Sequence, residues 1–144
     1  MNDYKQIKES PPEGISAAPI SDENLFEWDA VLVGPSESIW EGGMFPMKLS
    51  FSEQYPDKPP SVKFLCEVFH PNVFPNGQIC LDIIQKMWTP IYTISSILVS
   101  IQSLLLDPNI ESPANPTAAH LYAHDKQGYN KRVRACAQKS AEYL

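Results

Sequence analysis

The chain has 144 residues, 43% of them hydrophobic, which suits one folded domain over residues 1–144 with a proper core. Its formal net charge of −6 argues against a general nucleic-acid or membrane-surface binder. No apolar run approaches the roughly 20 residues needed to span a bilayer, and no secretory signal opens the chain.

The first half of the chain has a helical pattern followed by strand patterns. Residues 4–9 are typical of the end of a short helix, stopped by two prolines. Apolar residues then alternate with polar ones over residues 25–34, 44–51 and 61–67, which predicts three strands. In the first strand, Phe26 is expected on the same face as Trp28, Ala30 and Leu32. Short connections between the three strands predict an antiparallel meander.

Helical patterns dominate the last third of the chain. Thr93 is predicted to cap a core helix, because apolar residues recur at helical spacing over residues 94–105. Asn115, followed by a proline, opens a short helix that runs to Tyr122. Asp125 can cap the last helix. Strands followed by helices predict an α+β fold, a small antiparallel sheet backed by helices.

Between strands and helices, residues 67–92 show little periodicity, and loops of this length are usually functional. Residues 70–80, His-Pro-Asn-Val-Phe-Pro-Asn-Gly-Gln-Ile-Cys, place Cys80 eight positions after Asn72. Prolines and the Asn-Gly pair favour a fixed loop that holds a thiol beside an amide. Such a pair suits acyl transfer, because the sulfur carries the acyl group and the amide stabilises the oxyanion. The alternative is a surface loop whose cysteine fills space.

The three cysteines, Cys66, Cys80 and Cys136, are odd in number and lack the paired spacing of zinc sites. Unpaired thiols are typical of a reducing compartment, so we expect a cytoplasmic or nuclear protein. Cys66 and Cys136 fall in a predicted strand and on a helix stripe, where both are expected to pack in the core. No metal or organic cofactor is expected.

The chain carries a series of ordered landmarks: Gly34-Pro35, Glu41-Gly42-Gly43, Tyr55-Pro56 with Pro59-Pro60, His70-Pro71-Asn72, Gly77, Ile79-Cys80-Leu81-Asp82, Trp88-Thr89-Pro90 and Asp107-Pro108-Asn109. Together they resemble the ubiquitin-conjugating enzyme family over essentially the whole chain. Two further motifs, Ser95-Ser96-Ile97-Leu98 and Ser112-Pro113-Ala114-Asn115, resemble the branch linked to DNA-damage tolerance and N-degron turnover. The resemblance implies one catalytic core domain with a four-stranded antiparallel meander, about four helices and, here, a shortened first helix.

The resemblance also implies a mechanism and a set of partners. An activating enzyme, which uses ATP, passes the C-terminus of ubiquitin to Cys80 as a thioester. A ubiquitin ligase, expected to be of the RING type, then recruits the charged enzyme. A lysine of a protein substrate finally attacks the thioester carbonyl.

Several residues near Cys80 match functional positions of the family. Asn72 matches the oxyanion-stabilising asparagine, although its side chain could hold the loop through backbone groups, and both roles can coexist. His70 matches a structural histidine, with a general base as the less favoured alternative. Asp82, Asn109 and Ser112 match positions around the incoming amine, where many relatives carry an aspartate in place of Ser112.

Two outlying regions match docking sites of the family. The loops that meet ligases correspond to Asp57, Lys58, Thr89, Pro90 and Ile91. The alternative is a rigid, solvated pair of turns, and both can hold because rigid loops make good docking surfaces. On the first helix, Lys5 and Lys8 match positions that meet the activating enzyme.

Three other functions compete with ubiquitin transfer. The first is an enzyme of the same fold that carries another ubiquitin-like modifier. The second is a non-catalytic binding module, which is expected to lack the nucleophile, whereas Cys80 is present here. The third is a cysteine hydrolase, which needs a base near the thiol, and His120 and His124 have no motif context that supports this.

Overall fold

Four antiparallel strands form a sheet in the computed structural model, which describes residues 2–143. The strands pair in chain order and are β1 (Ile15–Ser21), β2 (Asn24–Val33), β3 (Met44–Ser50) and β4 (Ser61–Phe64). Four α-helices accompany them: α1 (Asn2–Glu9), α2 (Ile94–Leu106), α3 (Pro116–His124) and α4 (Lys126–Ser140). The predicted α+β fold with a four-stranded antiparallel meander is confirmed.

The alternation of apolar residues located three of the four strands. It did not locate β1, whose small residues and Pro19 give a weak strand pattern. The prediction for Phe26 was wrong, because its side chain is 50% exposed whereas Trp28 is buried. The pairing of β1 with β2 is irregular between Pro19 and Ser21. An irregularity of this kind breaks strict alternation and re-aims the side chains beside it.

β4 ends at Phe64, three residues earlier than predicted. Burial continues to alternate beyond this point, and Cys66 and Val68 are buried, which explains the longer prediction. Pairing stops because the next partner on β3 is Pro46, which accepts a hydrogen bond from the Leu65 amide but has no N–H to return. Cys66 therefore lies just after the strand, still in the core.

The predicted helix caps are confirmed. The Thr93 hydroxyl accepts from the Ser96 amide at 3.1 Å, and the Ser96 hydroxyl accepts from the Thr93 amide at 2.7 Å. Asn115 caps α3 and Asp125 caps α4, each through a side-chain oxygen that accepts a hydrogen bond from a backbone amide of the first turn. α3 continues to His124, two residues past its predicted end.

A continuous hydrophobic core lies between one face of the sheet and α2. The helix buries five residues against it: Ile94, Ile97, Leu98, Ile101 and Leu105. Large side chains from the sheet, such as Trp28 and Phe45, complete this layer. α1 packs against α2 and β1 and buries Ile7. Within the described residues, no helix is both long and apolar enough to cross a membrane.

Candidate functional site

Cys80 lies beside Asn72 because residues 72–80 fold back as a short hairpin. Val73 and Ile79 form an antiparallel bridge, and the Cys80 amide donates to the Asn72 carbonyl at 2.8 Å. The turn between them is closed by hydrogen bonds that join Phe74 to Gln78 and Gly77 to Phe74, each 2.9 Å long. The predicted fixed loop thus places Cys80 opposite Asn72 in the hairpin.

Gly77 ties this hairpin to the edge of the sheet. Its φ of +92° lies in the left-handed region, which favours glycine. A Cβ at this position would also overlap the carbonyl oxygen of Phe64. The close approach lets the Phe64 amide donate to the Gly77 carbonyl at 2.9 Å. The predicted Asn-Gly turn therefore connects the thiol loop to β4.

Asn72 connects the hairpin to the loop after α2. Its side-chain amide donates to the Asn109 carbonyl at 2.7 Å, and its side-chain oxygen accepts from the Asn109 amide at 2.9 Å. The residue is 2% exposed. Next to it, the Pro71 carbonyl accepts from Ala114 at 2.7 Å and from Asn115 at 3.0 Å. The carboxamide therefore holds the start of the 109–115 segment, as the loop-holding alternative expected, and the Pro71 carbonyl holds its end.

His70 is fully buried, and both of its ring nitrogens have partners. Nδ1 accepts from the Asn72 amide at 2.9 Å, so the proton is on Nε2, which donates to the Leu104 carbonyl at 2.7 Å. Burial lowers the pKa of His70 to about 4, although the bond to Leu104 opposes this shift. The ring is thus neutral and has no nitrogen left for a substrate proton, which disfavours the general-base alternative.

The three cysteines have different surroundings. Cys80 is partly exposed, whereas Cys66 and Cys136 are buried, as expected for core residues. Burial raises the pKa of Cys66 to about 12, and it also raises the pKa of Cys136. The Cys136 thiol donates to the Glu67 carbonyl at 2.8 Å. Since the thiolate is the nucleophile, the two buried thiols are unreactive.

The residues predicted around the incoming amine are exposed and flank the hairpin. Asp82 begins a single 3-10 turn, Asp82–Ile84, directly after the hairpin. Asn109 presents its side chain in the segment held by Asn72, where its oxygen accepts from the Glu111 amide at 3.0 Å. Ser112 is exposed in the same segment. Asp82 therefore follows Cys80 by two residues, while Asn109 and Ser112 lie in the segment that is hydrogen-bonded to Pro71 and Asn72.

The two predicted ligase loops, residues 55–58 and 88–91, contact and brace each other. The Trp88 indole donates to the Pro56 carbonyl at 3.0 Å, and its ring centroid lies 6.2 Å from that of Tyr55. The predicted contact residues are all exposed, and Ile91, at 83%, is the most exposed large hydrophobic residue among the side chains that the structure describes. An apolar side chain exposed to this extent on a braced loop is suited to contact a partner.

Cationic residues lie on α1 and α4. Lys5 and Lys8 are exposed on α1, on the helix predicted to meet the activating enzyme. On α4, the Arg132 guanidinium lies 4.0 Å from the centroid of the Phe69 ring. That contact partly covers an aromatic side chain beside the hairpin.

Sequence reasoning missed Trp40 as a residue that positions the site. Its indole is fully buried and donates to the Leu105 carbonyl at 3.1 Å, one residue after the carbonyl that His70 binds. The two side chains donate to neighbouring carbonyls in the last turn of α2, where carbonyls have no partner within the helix, and the Leu104 carbonyl also accepts from the Asp107 amide at 3.3 Å. The sequence signal that could have found Trp40 is a large aromatic residue in a segment without periodicity. Such a residue favours a loop that is anchored to the core.

Comparison with known proteins agrees with this geometry. The chain belongs to the ubiquitin-conjugating enzyme family, whose profile matches residues 1–137. A protein of Candida albicans named ubiquitin-conjugating enzyme E2 2 is 54% identical over 97% of this chain and 78% of its own length. Proteins of the same name in Saccharomyces cerevisiae and Neurospora crassa are 53% and 50% identical over 99% of this chain, covering 82% and 93% of their own lengths.

The family assignment determines the class of reaction. Ubiquitin-conjugating enzymes receive ubiquitin from an activating enzyme as a cysteine thioester and pass it on with ubiquitin ligases, and this chain is such an enzyme. The predicted family and activity are confirmed, and the shared name of the relatives agrees with the narrower resemblance to one branch. Transfer of another modifier and a non-catalytic role are not favoured.

Proposed function

We propose that Cys80 is the residue that carries ubiquitin, and that the 72–80 hairpin presents it. The observation that carries this proposal is the contrast between the cysteines. Cys80 is partly exposed on a hairpin braced at both ends, whereas Cys66 and Cys136 are buried. In charging, the Cys80 sulfur attacks the acyl carbon and displaces the sulfur of the activating enzyme. In discharge, a substrate amine displaces Cys80.

In this proposal, Asn72 works first through Asn109. By holding the Asn109 backbone at 2.7 and 2.9 Å, it places the 109–115 segment beside the thioester. One hydrogen of its side-chain amide has no part in these two bonds and is available to an oxyanion. Asp82, Asn109 and Ser112 then surround the incoming lysine, which is mostly protonated at neutral pH and must lose its proton to attack.

The docking roles complete the proposal. Ligases of the RING type contact the braced loops through Asp57, Lys58, Thr89, Pro90 and Ile91. The activating enzyme contacts α1 through Lys5 and Lys8. ATP acts on the activating enzyme, and no cofactor is required here. The unpaired cysteines favour localisation in a reducing compartment, the cytoplasm or the nucleus.

The test is a charging assay on non-reducing gels with activating enzyme, ATP and ubiquitin. The wild type should give an adduct that reductant removes, and Cys80→Ser an adduct that reductant does not remove, because an oxyester replaces the thioester. Cys66→Ala and Cys136→Ala are matched controls that should charge like the wild type. A wild-type adduct that persists in Cys80→Ala would overturn the assignment.

A further inference from the structure

Two histidines on α3 lie outside the site described above and face solvent. His120 and His124 are both exposed, and their ring centroids are 4.8 Å apart with an angle of 44° between the ring planes. Side chains four positions apart on a helix lie on the same face, so the helix itself brings these rings together. Neither residue has a part in the transfer reaction proposed above.

The separation of the two rings matches that of a metal chelate. An imidazole centroid lies about 3.2 Å from a metal ion held by one of its nitrogens, given a bond of about 2.1 Å. Two imidazoles bound at about 90° to 110° would have centroids about 4.5 to 5.2 Å apart. The observed 4.8 Å lies within this range, so the pair is close to its bound spacing in the free helix.

The surroundings leave both rings accessible to an ion. α3 buries Ala118 and Ala119 on its inner side, opposite the histidine pair. Lys126 is the nearest cationic residue in sequence. Its ammonium lies over the Tyr122 ring, 3.3 Å from the ring centroid, and not over either histidine. Among the side chains that the structure describes, no group of three or more His, Cys, Asp or Glu residues converges as a metal site. The pair would therefore supply two ligands only.

We propose that His120 and His124 form a two-histidine site for a divalent transition-metal ion of the copper, nickel and zinc class. Neutral imidazole is a preferred ligand of these ions. The remaining coordination positions stay open to water or to a donor atom of another protein. This inference departs from the expectation of the sequence that no metal is bound.

Few other side chains compete with this pair for a transition-metal ion, so binding to the pair can be measured separately. The chain has three histidines, and the third, His70, is buried with both nitrogens bonded. The partly exposed thiol of Cys80 is the main competitor for a soft metal ion. A Cys80→Ser variant therefore separates the two possibilities.

The test is calorimetric titration of the full chain with Ni²⁺. His120→Ala and His124→Ala should each bind about 100-fold more weakly than the wild type, because a second intramolecular ligand adds about that factor. The double variant should bind more weakly still, because it lacks the one imidazole that each single variant keeps. Cys80→Ser should bind like the wild type, and affinities should rank Cu²⁺ above Ni²⁺ above Co²⁺.

Thermal unfolding gives a second readout. Ni²⁺ should raise the melting temperature of the wild type and leave that of the double variant unchanged, because an ion bound only to the folded helix stabilises it. Without metal, all variants should melt together, since both rings are exposed. Equal Ni²⁺ affinity in the wild type and the single variants would overturn the site, as would loss of binding in Cys80→Ser alone.

Discussion

The carboxamide of Asn72 makes both of its hydrogen bonds to the backbone of one residue, Asn109. This arrangement resembles one step of a β-ladder and is specific for an amide, because it needs a donor and an acceptor side by side. In the proposed mechanism, Asn72 acts through the segment that it holds and also through a contact with the oxyanion. The two contributions can be separated by experiment.

Replacing Asn72 should uncouple the 72–80 hairpin from the 109–115 segment. Asn72→Ala should lower the free energy of unfolding by about 2 kcal/mol, because two net hydrogen bonds are lost. The Asn109 amide should also lose its protection from hydrogen exchange, measured by NMR, and lysine discharge should slow by about 10²–10³-fold. Slow discharge with unchanged protection at Asn109 would contradict the loop-holding role and leave the oxyanion role alone.

His70 should make stability depend on pH. The unfolded imidazole takes up a proton near pH 6.5, while the folded one, with a pKa of about 4, does not. Stability is therefore complete above about pH 6.5 and is lost as the pH falls towards 4, by about 3 kcal/mol. Urea unfolding at pH 7 and pH 5 should show a larger drop for the wild type than for His70→Gln. Equal drops would contradict a buried neutral ring.

At this scale, the sequence predicted the nearness of the candidate site residues better than it predicted their partners. Cys80, Asn72 and His70 stand in one motif, so their nearness follows from a short turn. The carbonyl of Leu104 and the backbone of Asn109 lie 34 and 37 positions away from the side chains that bind them. Contacts at such separations depend on how α2 lies across the sheet, which local patterns do not encode.

At the scale of elements, α2 is the part of the fold that periodicity predicts best. Its apolar spacing, its capping box and its end within one residue of the predicted position all follow from local chemistry. The strands are less predictable, because β1 has a weak pattern and β4 ends where Pro46 cannot pair. Element boundaries there depend on the neighbouring strand.

Truncating a buried side chain of α2 should show that this face of the helix packs in the core. Ile101→Ala should lower the free energy of unfolding by about 2–5 kcal/mol, because Ile101 is 1% exposed and its removal leaves a cavity. Val99→Ala, on the exposed side of the same helix, is the matched control and should change stability by about 0.5 kcal/mol or less. Similar losses in the two variants, measured by urea unfolding, would contradict the orientation of the helix.

The braced loops should act in discharge and not in charging. Ile91→Ala should weaken ligase-stimulated discharge by about fivefold or more, since an exposed apolar anchor is lost. Charging by the activating enzyme and stability should stay unchanged. Leu106→Ala, which removes an exposed leucine from α2, serves as the control. Normal ligase stimulation in Ile91→Ala, measured in single-turnover assays, would argue against this surface as the docking site.

At the scale of the whole molecule, the sheet and α2 act as a frame for two irregular segments. The 72–80 hairpin is anchored to β4 through Gly77. The 109–115 segment is anchored to Pro71 and Asn72 by hydrogen bonds. The family resemblance predicted this architecture because its landmarks are the residues that make these anchors. It did not predict the histidine pair on α3, which matches no landmark.

The most direct test of the account is to map the ubiquitin attachment site by mass spectrometry. The stable adduct of Cys80→Ser, formed with activating enzyme and ATP, should yield after proteolysis one modified peptide, with the C-terminus of ubiquitin esterified to residue 80. Attachment to a lysine or to another cysteine would contradict the central claim that this partly exposed thiol carries ubiquitin.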